Sequence, residues 1–255
     1  MGCSRVPLVT AAAAATALAG GTAWAASYPG NQGRTWAEIA ALPPVTGIYE
    51  AGPPRPGAPR DGQREVLPVL TPKAAAEQAA YQAKKIEDTA AANCIPPGMP
   101  RIMSWPYPIQ VLVTPGEVTL VLEGDMQVRH IHTDGRDHPA DPDLTFNGDS
   151  IGHWEGDTLV VDTVGLAPQA AIAQGVTHSR NEHIVERFRL ADPNLLEVKT
   201  RVEDPGVLAK PWEFAARYVR HPDWSIAEYI CEQNNRNSVD ANGKAGINLE
   251  LDARK

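Results

Sequence analysis

Residues 105–135 read WPYPIQVLVTPGEVTLVLEGDMQVRHIHTDG, and this stretch decides the fold. Apolar and polar residues alternate with period two, the pattern of half-buried strands. Tyr107–Val113 and Glu117–Glu123 form two strands around the turn Thr114-Pro115-Gly116. Met126–Thr133 is a third, stopped by Asp134-Gly135.

The same reading extends downstream. Asp149–Trp154 and Thr158–Val164 flank the tight turn Glu155-Gly156-Asp157. His183–Leu190 pairs with Leu195–Val202 across Ala191-Asp192-Pro193-Asn194. Trp212–Val219 pairs with Ile226–Glu232 across His221-Pro222-Asp223. About nine sequential strands with short links favour an antiparallel meander. Closing it on itself removes the exposed edges. The expected architecture is mainly β: a lipocalin-like, up-and-down antiparallel barrel of 8–10 strands. A β-sandwich is the alternative.

Upstream, residues 26–70 hold eight prolines, so no continuous helix or sheet fits there. Thr35 and Glu38 make a capping-box pair for a short helix, Trp36–Leu42, ended by Pro43-Pro44. Thr46–Glu50 reads as a short strand. Thr71 as N-cap and Pro72 at the first helical position open an alanine-rich helix running to about Ala92. The chain divides into a leader (1–25), a proline-rich segment with the helix (26–104), the barrel core (105–233) and a polar tail (234–255). Part of 26–104 belongs to the barrel's domain.

The leader has Arg5, then an apolar run to about Leu18, then Ala23-Trp24-Ala25. This is the pattern of a cleavable export signal, so the expected mature chain starts at Ala26 in the periplasm or outside the cell. Net charge is −8, or −9 without Arg5. With no basic run, the chain is a poor nucleic-acid binder, and no membrane span is expected. Cys94 and Cys231 remain after the leader is removed. An oxidising compartment favours a disulfide between them; two buried free thiols are the alternative.

Several segments resemble a large family of secreted bacterial β-barrel proteins. They are Asn93–Pro100, Thr133–Arg136 with His138-Pro139, Gly152–Thr163 and Val185–Phe188. The chain also resembles cofactor-independent lyases and decarboxylases of bacterial lignin-derived aromatic catabolism. That resemblance implies a reaction class.

Strand alternation then nominates residues for chemistry. Met126, Val128, His130 and His132 share a face, opposite Gln127, Arg129, Ile131 and Thr133. The first set starts more apolar, which places both histidines inward, where imidazole can exchange protons at neutral pH. A hydrogen-bonded core histidine beside a rim residue is the plainer reading. His-x-His also suits zinc, with Glu186, His178 or His183 as a third ligand, but no fixed third spacing supports it, and no metal is assigned. Glu186 shares a face with Ile184, Phe188 and Leu190. Burial there either tunes it for acid–base work or pairs it with an arginine. Glu182 stands two positions before Ile184, at the rim of the same face.

Arg136 is a candidate for holding a carboxylate. Trp212, Phe214 and Tyr218 share a face that suits a flat apolar ring. Asp157 and Asp162 read as structural. Nucleotide-binding and hydrolase-elbow motifs are absent, so no cofactor is assigned. The expected function is a cofactor-independent lyase working by proton transfer. It would decarboxylate, eliminate or isomerise an aromatic or phenolic molecule such as a lignin-derived acid. His132, His130 and Glu186 would be catalytic; Arg136, Tyr218, Trp212, Phe214 and Glu182 would bind substrate. The alternative is a carrier of small hydrophobic ligands. A homodimer is left open.

Overall fold

The computed structural model describes residues 34–52, 67–83, 93–173, 175–231, 237–239 and 245–247. The leader, residues 84–92 of the stretch expected as the alanine-rich helix, and most of the tail fall outside these.

Both helix starts follow from their caps. Helix α1 (Trp36–Ala40) has the full capping box: the Thr35 N–H donates to Glu38 Oε2 at 2.7 Å, and the Glu38 N–H donates to Thr35 Oγ1 at 3.3 Å. Helix α2 (Pro72–Gln82) starts behind Thr71, whose Oγ1 accepts from the Ala74 N–H at 3.4 Å.

The strands are β1 (Gly47–Ala51), β2 (Ile109–Thr114), β3 (Glu117–Leu122), β4 (Gln127–His132), β5 (Asp149–Glu155) and β6 (Thr158–Val164). They continue with β7 (Ala171–Ala173), β8 (Val176–Thr177), β9 (His183–Asp192), β10 (Leu195–Glu203) and β11 (Trp212–Arg220). Nine close a barrel in the order β1-β11-β10-β9-β6-β5-β4-β3-β2, while β7 and β8 form a separate small hairpin.

Three features depart from expectation. The strand that closes the barrel is β1, from the proline-rich segment. Its Gly47–Tyr49 pair with Val111–Ile109, and its Tyr49–Ala51 pair with Arg220–Tyr218. With that edge of β11 taken, the expected strand Ile226–Glu232 is not seen over its described part: residues 224–230 carry no strand pairing. They lie along the outside instead, where the Ala227 N–H donates to Glu123 Oε2 at 2.8 Å and Tyr229 meets Tyr107 edge-on at 5.2 Å. The barrel is also mixed rather than wholly antiparallel. β4 and β5 run parallel through Ile131–Ser150 and His132–Ile151, because the link between them is long enough to return the chain to its starting end.

Cys94 and Cys231 are bridged, with Cα atoms 5.8 Å apart and a sequence separation of 137. The bond fastens the segment after β11 to the segment before β2. No helix among the described residues is long and apolar enough to cross a membrane.

Among the described residues, side chains pack the barrel interior. Val118, Leu120 and Leu122 alternate inward on β3, as do Leu196, Val198, Thr200 and Val202 on β10. Tyr49, Met103, Leu120, Phe188 and Tyr218 surround a remaining cavity of about 10 Å³, room for roughly one water. The Tyr218 hydroxyl donates to the Met103 carbonyl at 2.5 Å. Tyr218 is thus a core residue.

Candidate functional site

The pleat of β4 runs opposite to expectation. Arg129 and Ile131 are buried, while His130 is exposed and His132 half-buried. Register explains why: Leu120 pairs with Arg129 and Val118 with Ile131, so both fall on the buried face of β3. Met126, which made the other face look apolar, precedes the strand in a positive-φ turn (φ 46°). Val128 is exposed.

Arg129 can point inward because its charge is met there. One Nη2 donates to Glu186 Oε2 at 2.5 Å and to Thr163 Oγ1 at 2.9 Å, and Nε donates to Ser150 Oγ at 3.2 Å. Both ionic side chains are essentially inaccessible. Glu186 is therefore inward, as the sequence indicated, but it is held by Arg129 inside a filled core. It does not meet either histidine.

His130 and His132 instead share the outer face and line one groove. The parallel β4–β5 contact covers only two residue pairs. Before it, residues 144–149 run beside the first half of β4, and Asn147 Nδ2 donates to the Val128 carbonyl at 3.2 Å and to Gln127 Oε1 at 3.4 Å. The groove has a volume of about 500 Å³. Val128, Leu144 and Phe146 give it apolar walls; His130, His132, Asn147 and Asp149 give it polar ones.

The two imidazoles sit in different electrostatic settings. His130 Nδ1 lies 2.9 Å from Glu117 Oε1, which also accepts from Thr119 Oγ1 at 2.5 Å. Burial pushes the Glu117 carboxyl up. Hydrogen bonds from Thr119 and His130 and the charges of both histidines outweigh it, and the group stays below its ordinary value. His132 makes no hydrogen bond among the described residues. Burial first, and the Arg136 charge second, hold its imidazole below the usual histidine range; Glu117, Asp134 and Asp149 only partly offset them. His132 is accordingly a neutral base at neutral pH.

Behind the histidines runs a charged chain that braces the loop after β4. Arg136 Nη2 donates to Asp149 Oδ2 at 2.6 Å. The His138 ring nitrogens lie 2.6 Å from Asp149 Oδ1 and 3.1 Å from Asp162 Oδ1. His183 Nε2 lies 2.9 Å from Asp162 Oδ2. Arg136 has Nη2 on Asp149, while its Nε is buried without a hydrogen-bond partner. Asp162 is structural, as the sequence indicated. Glu117, Thr119, Asn147 and Asp149 escaped sequence reasoning. A cross-strand register for β3 and β4 would have found the first two, since Thr119 faces His130 and Glu117 faces His132.

The remaining nominated residues lie elsewhere. Trp212 is buried against Phe214, with ring centroids 4.3 Å apart, and Phe214 borders a separate groove of about 380 Å³ on β9–β11. Glu182 belongs to a polar cluster that does not line the His130–His132 groove. Within that cluster, Asp204 accepts from the Ser179 N–H (2.6 Å), Ser179 Oγ (2.7 Å) and the Gly206 N–H (3.0 Å). Neither Glu182 oxygen has a hydrogen-bond partner, and His178 Nδ1 is 3.5 Å away, nearer the Ser179 carbonyl at 2.7 Å. For metal, no group of three His, Cys, Asp or Glu side chains among the described residues has a ligating arrangement.

Glu182 has a stability consequence. Burial, and next the Asp204 charge, push its carboxyl well above the ordinary value. The unfolded chain ionises first, so this contribution is present below the ordinary carboxyl pKa and is lost as pH rises through the folded one. Glu182→Gln is expected to match the native chain at pH 4 and exceed it at pH 8, by about 1.4 kcal/mol for each pH unit above the ordinary carboxyl pKa over which the folded carboxyl stays protonated. Urea melts at the two pH values check this; a native advantage that grows with pH would contradict it.

Compared with models of protein families and with curated proteins, the chain finds no match.

Proposed function

We propose that the protein is an exported, cofactor-independent lyase or isomerase that moves a proton on a small aromatic molecule held in the β4–β5 groove. One observation carries the reading: His130 and His132, in different electrostatic settings, open onto one groove that also presents the apolar side chains of Val128, Leu144 and Phe146. Two imidazoles open to one ligand can supply a base and an acid for proton transfer. His132 takes a proton from substrate carbon, and the electron pair enters the conjugated system. His130, paired through Nδ1 with Glu117, returns a proton at the leaving group or at the far end of that system. Leu144, Phe146 and Val128 hold the ring.

The aromatic substrate class follows the resemblance described above, and export to the periplasm follows the leader together with the disulfide. Among the described residues, the lumen pocket between Tyr49, Leu120, Phe188 and Tyr218 has a volume of about 10 Å³, less than a small-ligand carrier uses. Incubation in deuterated water with aromatic alcohols, ketones and acids is expected to put deuterium on a substrate carbon. His132→Gln should slow this by about 10²–10⁴-fold, the usual worth of an acid–base group. Undiminished exchange by the His130→Gln/His132→Gln double variant would contradict the proposal.

A further inference from the structure

His138 and Arg136 draw on the same carboxylate. The loop after β4 turns back at Gly135 (φ 84°), where the Arg136 N–H donates to Asp134 Oδ1 at 3.2 Å. That return brings both side chains to Asp149, the first residue of β5 and part of the groove wall. Asp149 Oδ2 accepts from Arg136 Nη2 at 2.6 Å, and Asp149 Oδ1 lies 2.6 Å from His138 Nδ1. On its other side, His138 Nε2 lies 3.1 Å from Asp162 Oδ1, and Asp162 Oδ2 lies 2.9 Å from His183 Nε2.

This division leaves a donor stranded. Arg136 Nε is buried without a hydrogen-bond partner. A guanidinium frequently meets a carboxylate with two parallel N–H donors, and here the oxygen that would take the second is held by His138. Asp149 therefore has two arrangements: shared between His138 and Arg136, or closed on Arg136 alone. An unpaired buried donor is costly, so the shared arrangement depends on His138 keeping its oxygen.

His132, on the same groove, feels the difference. Glu117 from β3, Asp134 and Arg136 from the loop and Asp149 from β5 all act on it. After burial, the Arg136 charge does most to hold the imidazole below the usual histidine range. A guanidinium closed on a carboxylate presents less of its charge to a neighbour.

We infer that His138 is a positioning residue for the groove: by holding Asp149 Oδ1 it keeps Asp149 from closing on Arg136, and so leaves the Arg136 charge acting on His132. This rests on His132 being the base of the groove, as proposed above. Its test needs no ligand and stands apart from the deuterium exchange that decides that reading.

The test is the pH titration of the His132 ring in the full chain, followed by NMR. Asn and Gln separate the two contacts of His138, because an Asn amide nitrogen stands where Nδ1 stood and a Gln amide nitrogen where Nε2 stood. His138→Gln, which frees Asp149, should raise the His132 midpoint by about half a pH unit, roughly 3-fold in proton affinity. His138→Asn, which keeps the donor to Asp149, should leave it within about 0.1 unit of native. Arg136→Gln should raise the midpoint as His138→Gln does, and the double variant should go no further. In the native chain the Arg136 Nε–H resonance should stand near that of an arginine with no carboxylate partner, and it should move downfield in His138→Gln. An unmoved midpoint in His138→Gln, equal midpoints in the Gln and Asn variants, or additive shifts in the double variant overturn the inference. So does a carboxylate-bound Nε–H in the native chain, a result that needs no variant to fold.

Discussion

Glu186→Ala is expected to destabilise the protein by about 3–5 kcal/mol, because it strands the Arg129 charge in the barrel core. Both side chains are inaccessible and meet at 2.5 Å, and Ser150 and Thr163 satisfy only part of the guanidinium. Nη1 of Arg129 and Oε1 of Glu186 already lack hydrogen-bond partners, so the pair itself adds little net stability over an apolar filling. Arg129→Met with Glu186→Leu should therefore recover most of what either single change loses. Urea denaturation of the four proteins measures the coupling. Additive losses would mean that the two charges do not depend on each other.

Removing the disulfide is expected to have an effect of similar size. Cross-linking positions 137 residues apart restricts the unfolded chain enough to stabilise the fold by about 5 kcal/mol in the chain-entropy description. The Cys94→Ala/Cys231→Ala variant should lose about that much, with the largest increase in proteolysis along residues 224–231, which have no strand pairing to hold them. Dithiothreitol should reproduce the loss in the native chain and leave the variant unchanged. A native chain indifferent to reductant would contradict this role.

Much of the barrel is legible in the chain. Period-two alternation places β2 to β6 and β9 to β11 within a residue or two, and Thr35, Glu38 and Thr71 mark their helices because capping is local chemistry. What is not legible depends on distant partners. Alternation divides β4 into two faces without saying which is buried; that is settled by Glu186, 57 residues on from Arg129. Val128 and Met126 point the other way and mislead. Similarly, Ile226–Glu232 has a strand's composition, but β1 occupies the edge of β11.

The site shows the same division. His130 and His132 are readable as a pair on one face, and they do line one groove. Glu186, Tyr218 and Trp212 are readable as inward, and they are, but inward here means a filled core. The opposite wall of the groove, Leu144 to Asp149, has no periodicity. Its position follows from Asn147 hydrogen bonding to the β4 backbone and from Gly148, whose φ of 69° and close neighbours, the Val164 carbonyl and the Thr163 side chain, exclude a larger residue. Sequence spacing does not reveal such contacts.

The most direct test of the account is where a bound ring lies. Intermolecular nuclear Overhauser effects should connect the ring protons of 4-methylphenol to Phe146, Leu144 and His132. Effects to Tyr218, Leu120 or Phe188 in the lumen, or to Phe214 on the β9–β11 face, would contradict the assignment of function to the β4–β5 groove.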